Sequence, residues 1–107
     1  MTLNEAQAWI GEWNSSVFKG GKERALPLVK HLAKEVSELH VELCSAMGPN
    51  ESLDNVKNEA ADCFILLIAL CSRMGFNLSD AVKEKMKINE KRKWKAPDAH
   101  GIIEHQP

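Results

Sequence analysis

The sequence has no surplus of charge of either sign, and this absence excludes two classes of protein. Its 107 residues include 14 lysines and arginines and 15 aspartates and glutamates, for a net charge of -1. A strongly basic nucleic-acid binder, or a protein with an acidic tail, would depart from this balance. With 44% hydrophobic and 27% charged residues, the composition is typical of one ordinary globular domain, residues 1–107.

Long hydrophobic runs and paired cysteines are also lacking. The longest apolar run, 63–71, is too short for a membrane-spanning helix, which needs about 20 residues. The amino terminus has no basic segment followed by an apolar one, so we expect no secretory signal. The three cysteines (Cys44, Cys63 and Cys71) show no C-x-x-C spacing and are interpreted as small buried side chains. A cytoplasmic protein with no membrane partner is expected.

Strand signals are missing, whereas helix boundaries are well marked. No segment alternates apolar and polar residues, and no Asn-Gly pair predicts a hairpin. Thr2 and Glu5 form a capping-box pattern that opens a first helix. Three further helices are predicted at about 27–47, 52–74 and 77–94. Four helices with short loops predict an all-α four-helix bundle, followed by an irregular tail at about 96–107.

The predicted third helix is apolar on nearly every side. Between Ala60 and Leu70 its one charged residue is Asp62. A protomer of this length has little chain with which to cover such a helix all round. We therefore expect a homodimer or homotetramer in which neighbouring subunits complete the core. The alternative is a monomer with an exposed apolar stripe.

The predicted second helix carries two parallel stripes of residues. The apolar stripe consists of Leu28, Leu32, Val36, Leu39 and Leu43. A second stripe, displaced by one residue, consists of His31, Glu35, Glu38 and Glu42. The acids therefore border the core face, where like charges three and four residues apart repel. They form either a charged helix flank or a site that gathers carboxylates.

The third helix supplies a second acidic pair, Glu59 and Asp62. An isolated ionised carboxylate at Asp62, inside EAADCFILL, would need a cation, an arginine or a proton as partner. If the two helices pack antiparallel, Glu35 and Glu38 join this pair in one pocket, and four carboxylates are tolerable there around bound cations. An all-oxygen ligand set favours Mg²⁺, with Mn²⁺ also possible, whereas iron carboxylate bundles use Glu-x-x-His pairs.

Positive charge is concentrated late in the chain. Lys85, Asn89 and Arg92 are spaced four and three residues apart and would share one helix face. A basic helix beside an acidic metal pocket suits a polyphosphate ligand. The neighbouring lysines are interpreted as a solvated face. A nucleic-acid groove is disfavoured because Trp94 is the only aromatic residue among them.

Two further residues are candidate nucleotide contacts. Trp13, with Trp9 and Phe18, could stack on a base or simply pack between helices. His31 lies one turn before Glu35 and could contact the nucleotide or be an ordinary helix-flank histidine.

Three segments together resemble the MazG-like all-α nucleoside triphosphate pyrophosphohydrolases. The family pattern is E-E-x-x-E, a spacer, E-x-x-D and a later K-x-x-x-N-x-x-R, and it is matched by KEVSEL (34–39), NEAADCFILL (58–67) and KMKINEKRKW (85–94). The resemblance implies an oligomeric all-α fold of that type. It implies that the Mg²⁺ ligands are Glu35, Glu38, Glu59 and Asp62, and that the contacts to phosphate and sugar are Lys85, Asn89 and Arg92.

The resemblance also implies hydrolysis of a nucleoside triphosphate to the monophosphate and pyrophosphate. Glu35 or Glu38 would accept the proton of the attacking water. Lys34 replaces the first glutamate of the family pattern and could contact phosphate instead. The ending RKWKAPDAHGIIEH (92–105) resembles a branch described as dATP/dGTP diphosphohydrolases, which favours purine deoxynucleotides. The alternative is a non-catalytic metal- or nucleotide-binding helical module with an interaction or regulatory role.

Overall fold

The predicted all-α fold is confirmed by a computed structural model, which describes residues 1–49 and 52–107. The helices are α1 (Leu3–Val17), α2 (Ala25–Ala46), α3 (Asp54–Met74) and α4 (Leu78–Lys91). A short 3-10 turn, Lys22–Arg24, leads into α2. The predicted starts of α2 and α3 differ from the observed ones by two residues, as is usual at helix ends.

The helix ends follow the signals in the sequence. The Thr2 hydroxyl accepts a hydrogen bond from the Glu5 amide at 3.1 Å, and the Glu5 carboxylate accepts one from the Thr2 amide at 3.0 Å. This closed capping box opens α1. Gly75 ends α3 with a φ of 81°, a left-handed conformation that glycine adopts without strain. The Asn77 side chain then accepts from the Asp80 amide and starts α4.

The tail is more ordered than the sequence suggested. Residues 96–107 fold back so that Trp94 and His105 form an isolated β-bridge, with their rings edge to face at 6.0 Å. The Asp98 carboxylate holds the turn by accepting hydrogen bonds from backbone N–H groups two and four residues later. This pairing takes Trp94 out of the helix, so α4 ends at Lys91 and not at 94.

Helices α1 and α2 both pack against α3, and α2 does so more extensively. Gly11 allows this close approach, because a Cβ atom there would lie 2.8 Å from the Ser72 hydroxyl oxygen. The small buried core draws on all three helices, at Ala6, Leu28, Ala46, Ile68, Ala69 and Cys71. Helix α3 is therefore the central element of the chain.

The fold is open for its length. Its radius of gyration is 16.5 Å, against about 13 Å expected for a compact chain of this size. Its accessible surface is 8078 Å², against about 6,000 Å² for a typical folded monomer of this mass. Helix α4 leaves α3 at a bend of 101°. As the sequence predicted, the single chain does not cover α3 all round, because Phe64 and Leu67 are exposed.

Hydropathy along the helices gives no spanning segment. Among the described residues, no single helix combines the length and apolar character that crossing a membrane requires. Helices α3 and α4 meet that standard only when taken together across their bend.

Replacing Ile68 by alanine should destabilise the protein by about 2–5 kcal/mol, because Ile68 is fully buried and its removal leaves a cavity. The matched control is Ile102→Ala in the tail, where the side chain is exposed; it should cost less than about 1 kcal/mol. Urea unfolding followed by circular dichroism measures both. Equal losses in the two variants would contradict a core centred on α3.

Candidate active site

Helix α2 is rotated relative to the orientation that its leucine stripe predicts. The Glu35 side chain is only 12% exposed. Val36 and Leu43, which belong to the predicted core stripe, are 49% and 41% exposed. The prediction that this whole stripe faces the core of the chain is therefore wrong. Glu35 and Glu38 of the acidic stripe approach Glu59 of α3 instead, whereas Leu28 of the leucine stripe stays buried.

This rotation brings three carboxylates together. Oxygen atoms of Glu35, Glu38 and Glu59 all lie within 4.8 Å of one another, so one ion could contact all three. Two successive turns of α2 and one turn of α3 supply them. The E-x-x-E spacing of α2 and the first acid of the α3 motif therefore converge as the sequence predicted.

The three carboxylates lie close enough together to repel one another and to share a proton. The pKa of Glu59 is raised to about 7, chiefly by a hydrogen bond shared with Glu35, then by burial and by the charges of Glu35, Glu38 and Asp62. The same shared proton, with further hydrogen bonds from Glu38 and His31, lowers the pKa of Glu35. Without a cation, the cluster therefore keeps a proton near neutral pH.

Asp62 occupies a different position from the one that the sequence suggested. It was expected to be embedded among apolar residues, but its side chain is exposed in the chain. Helices α1 and α2 leave this flank of α3 open, and Asp62 lies where two cavities meet. It lies outside the three-carboxylate cluster but lines the same cavity as Glu35.

A cavity of about 420 Å³ opens beside the acidic cluster. Its volume lies in the range of small-molecule sites. Aromatic and apolar residues form much of its wall, including Trp13, Phe18, Pro27, Leu28 and Ile65. Its polar residues are Asn14, Arg24, His31, Glu35 and Asp62. The predicted nucleotide contacts Trp13 and His31 thus line one cavity, and His31 Nε2 lies 3.1 Å from Glu35 Oε1.

Lys34 lies on another side of the cluster. It lines a separate cavity of about 290 Å³ together with Glu38, Glu42 and Glu59. A lysine at this position brings a positive charge next to two of the three clustered carboxylates. It is therefore placed to partly offset their charge or to meet a phosphate that approaches from this side.

The basic residues of α4 do not reach the acidic cluster within one chain. Among the described residues, those that line the cavities next to the carboxylates come from α1, α2, α3 and the loop between α1 and α2. Lys85 is exposed and Asn89 is half-buried on α4, whereas Arg92 stands just beyond the end of the helix in an extended conformation. The predicted shared helix face therefore holds for Lys85 and Asn89, and Arg92 departs from it.

Three polar residues near the cavity were not identified from the sequence. Asn14 and Arg24 line it, and Arg73 donates a hydrogen bond to the Asn14 side chain. No motif marks them. The one available signal is a polar residue, Asn14, directly after Trp13 on a helix that must pack against α3.

Comparison with known proteins identifies relatives of this chain. The model of the MazG-like family matches residues 28–105. No curated protein matches the sequence. The matched range contains the clustered carboxylates and all of α4, but not α1, which supplies Trp13 and Asn14.

Solved structures of MazG proteins share the fold. A MazG-like pyrophosphohydrolase of cyanophage S-2L, bound to dGDP and three catalytic Mn²⁺ ions per active site, is 25% identical with a TM-score of 0.69, over 100% of this chain and 94% of that one. The iMazG protein of Vibrio DAT 722 is 26% identical in two tagged forms. Their TM-scores are 0.63 and 0.64, over 84% of this chain and 95% and 99% of those chains.

The metal-free protein should lose stability as the pH rises from about 4.5 to about 7, the ordinary and the raised pKa of Glu59. Over this range the folded state holds a proton that the unfolded state has released, so deprotonation favours unfolding. The lowered pKa of Glu35 acts in the opposite direction, but below this window. Thermal unfolding in EDTA between these pH values measures the slope.

Glu59→Gln should flatten that slope, because the titrating group is gone. Glu12→Gln, an exposed site on α1, is the matched control and should keep it. A slope that is unchanged in Glu59→Gln would show that the shared proton does not lie at Glu59.

Proposed function

The chain belongs to the MazG-like family, and from this premise we propose that it is a divalent-metal-dependent nucleoside triphosphate pyrophosphohydrolase. The proposed products are the nucleoside monophosphate and pyrophosphate. The observation that carries the proposal is the convergence of Glu35, Glu38 and Glu59 beside a cavity of small-molecule size. The cyanophage relative, a pyrophosphohydrolase with dGDP and Mn²⁺ in its active site, supports the same reading.

The residues present fit a divalent cation. Glu59 Oε2 has no accessible surface and no hydrogen-bond partner among the described residues, which is costly unless a ligand completes it. The cluster offers carboxylate oxygens, the ligands that Mg²⁺ and Mn²⁺ prefer. We propose Glu35, Glu38, Glu59 and Asp62 as the metal ligands and Mg²⁺ as the metal. Mn²⁺, found in the cyanophage relative, is a workable substitute.

The chemistry then follows from the position of the carboxylates. Bound metal ions would offset the negative charge of the triphosphate and lower the pKa of water. Glu35 or Glu38 accepts the proton of the water that attacks the α-phosphorus. Because one oxygen of Glu35 is held by His31 at 3.1 Å, Glu35 is also fixed in orientation. His31 and Trp13 contact the nucleotide from the cavity wall, and Lys34 meets phosphate from the other side of the cluster.

We further propose that a second copy of the chain completes the site. Val36 and Leu43 leave an apolar surface on α2, and Val82 and Met86 leave another on α4. Each chain exposes about 2,000 Å² more than a typical monomer of its mass, which is enough surface for an obligate interface, since such interfaces bury about 2,000–5,000 Å² over both partners. A homodimer, or a homotetramer built from it, would bring Lys85, Asn89 and Arg92 of one copy to the carboxylates of the other. Their positive charge would neutralise the leaving pyrophosphate.

Purine deoxynucleotides are the proposed substrates. The tail, 92–105, carries the sequence resemblance to dATP/dGTP diphosphohydrolases, and the cyanophage relative was solved with dGDP. We therefore propose dGTP and dATP as the first members of the panel to be tested.

Pyrophosphate release from dGTP should require added Mg²⁺ or Mn²⁺. The variants Glu38→Gln and Asp62→Asn should each lower kcat/KM by about 100-fold or more, because each removes a proposed metal ligand. Glu12→Gln, an exposed acid of α1, serves as the matched control and should retain activity. A malachite-green assay with added inorganic pyrophosphatase, run on a panel of eight NTPs and dNTPs after EDTA treatment, measures all three. If no nucleotide is hydrolysed, the proposed enzymatic activity is contradicted and a non-catalytic binding module is favoured.

Mixing two inactive variants should restore activity if the site is shared between copies. Glu38→Gln lacks an acid and Lys85→Ala lacks a basic group, so a mixed dimer contains one site with neither change. Co-refolded in equal amounts, they should recover about a quarter of wild-type activity, since half the dimers are mixed and each has one intact site of two. Lys87→Ala, on the same helix, is the matched control and should be active without mixing. No recovery would mean that each chain uses its own basic residues.

A further inference from the structure

Arg73 holds the carboxyl end of α1 with four hydrogen bonds. Its Nε donates to Asn14 Oδ1 at 3.0 Å. Its Nη2 donates to the backbone oxygens of Asn14 at 3.0 Å and Phe18 at 2.8 Å, and its Nη1 donates to the Gly20 oxygen at 2.8 Å. One guanidinium from α3 therefore fixes both the Asn14 side chain and the loop that bounds the cavity.

This arrangement determines which way the Asn14 amide is turned. A guanidinium only donates hydrogen bonds, so the group of Asn14 that meets it must be the carbonyl oxygen. The amide nitrogen is then the group that Asn14 can offer to the cavity that it lines. Asn14 is 4% exposed, so little water reaches its side chain. A ligand in the cavity that displaces this water must supply an acceptor to the amide nitrogen, because a buried donor left unpaired is costly.

Arg24 lines the same cavity. Its guanidinium lies over the Phe18 ring, 5.7 Å from the ring centre. Glu35 and Asp62 are proposed metal ligands. The rest of the cavity wall combines aromatic rings with the side chains of Asn14 and Arg24.

We propose that Asn14 is a specificity-determining residue for the nucleobase and that Arg73 is its positioning residue. The inference rests on the proposed function, since it takes the cavity beside the carboxylates as the place of the base. A guanine offers two acceptors on one edge, O6 and N7, whereas adenine has an amino donor in place of O6. The Asn14 amide, held with its nitrogen toward the base, would pair with a 6-oxopurine and oppose a 6-aminopurine. The cavity therefore selects dGTP over dATP.

The first test uses the wild-type protein and needs no turnover. The α,β-imido analogues of dGTP, dITP and dATP are titrated by calorimetry in Mg²⁺. The dITP analogue lacks the 2-amino group and so isolates the effect of position 6. The dGTP and dITP analogues should bind within about twofold of each other, and both about tenfold tighter than the dATP analogue, as expected for one unmatched hydrogen bond. Equal binding of the dITP and dATP analogues would overturn the proposal.

The second test changes the amide itself. Asn14→Asp keeps an oxygen for Arg73 and places an acceptor where the donor was, so the ratio of dATP to dITP affinity should rise by about tenfold or more. Arg73→Lys keeps the charge but loses the fork that fixes the amide, so the same ratio should move toward one. Asn55→Asp, an exposed residue of α3, is the matched control and should leave the ratio unchanged. An unchanged ratio in folded Asn14→Asp would overturn the role of Asn14.

The two proposals fail in different ways. Selective binding of the 6-oxopurine analogues without pyrophosphate release would contradict the proposed hydrolase activity and support the role of Asn14 in base selection. Pyrophosphate release with equal affinity for the dITP and dATP analogues would support the hydrolase activity and contradict the role of Asn14. If Asn14→Asp does not fold, the analogue series on the wild-type protein still decides the question.

Discussion

Repulsion among the carboxylates that α2 and α3 bring together is the constraint on which the rest of the structure depends. Glu35, Glu38 and Glu59 lie within reach of one ion, and the pKa of Glu59 rises to about 7 because its neighbours oppose its ionisation. The packing of α2 against α3 must therefore hold together a site whose own charges work against it. A bound cation would replace the shared proton and remove that opposition.

The same constraint determines which surfaces stay apolar. A helix cannot turn both its acidic and its leucine stripe toward one neighbour when the stripes are about 100° apart. Because Glu35 faces α3, Val36 and Leu43 face outward. The acidic site and the exposed apolar surface of α2 are thus two consequences of one rotation. The oligomer that we propose follows from the way the site is built within the chain.

The sequence predicted what depends on local signals and spacing. The capping box at Thr2 and the glycine at Gly75 marked helix ends correctly, and the E-x-x-E spacing predicted which acids of α2 converge with Glu59. The rotation of α2 could not be predicted, because both stripes have the helical period and only contact with α3 selects between them. The hydrogen bond from Arg73 to Asn14, 59 residues apart in the sequence, leaves no local pattern at all. The fold of the tail depends on a local pairing, that of Trp94 with His105, which no Asn-Gly pair or alternating pattern marks.

The two sides of the site differ in how complete they are before a nucleotide binds. The Asn14 side chain and the Phe18 backbone are held by direct hydrogen bonds from Arg73, so they need no ion to take their shape. The carboxylates share a proton up to about pH 7, and a bound cation would displace it. If the proposed function holds, recognition of the base is preorganised, whereas binding of the triphosphate depends on the metal. A nucleotide without metal would then contact the protein through its base but bind weakly at its phosphates.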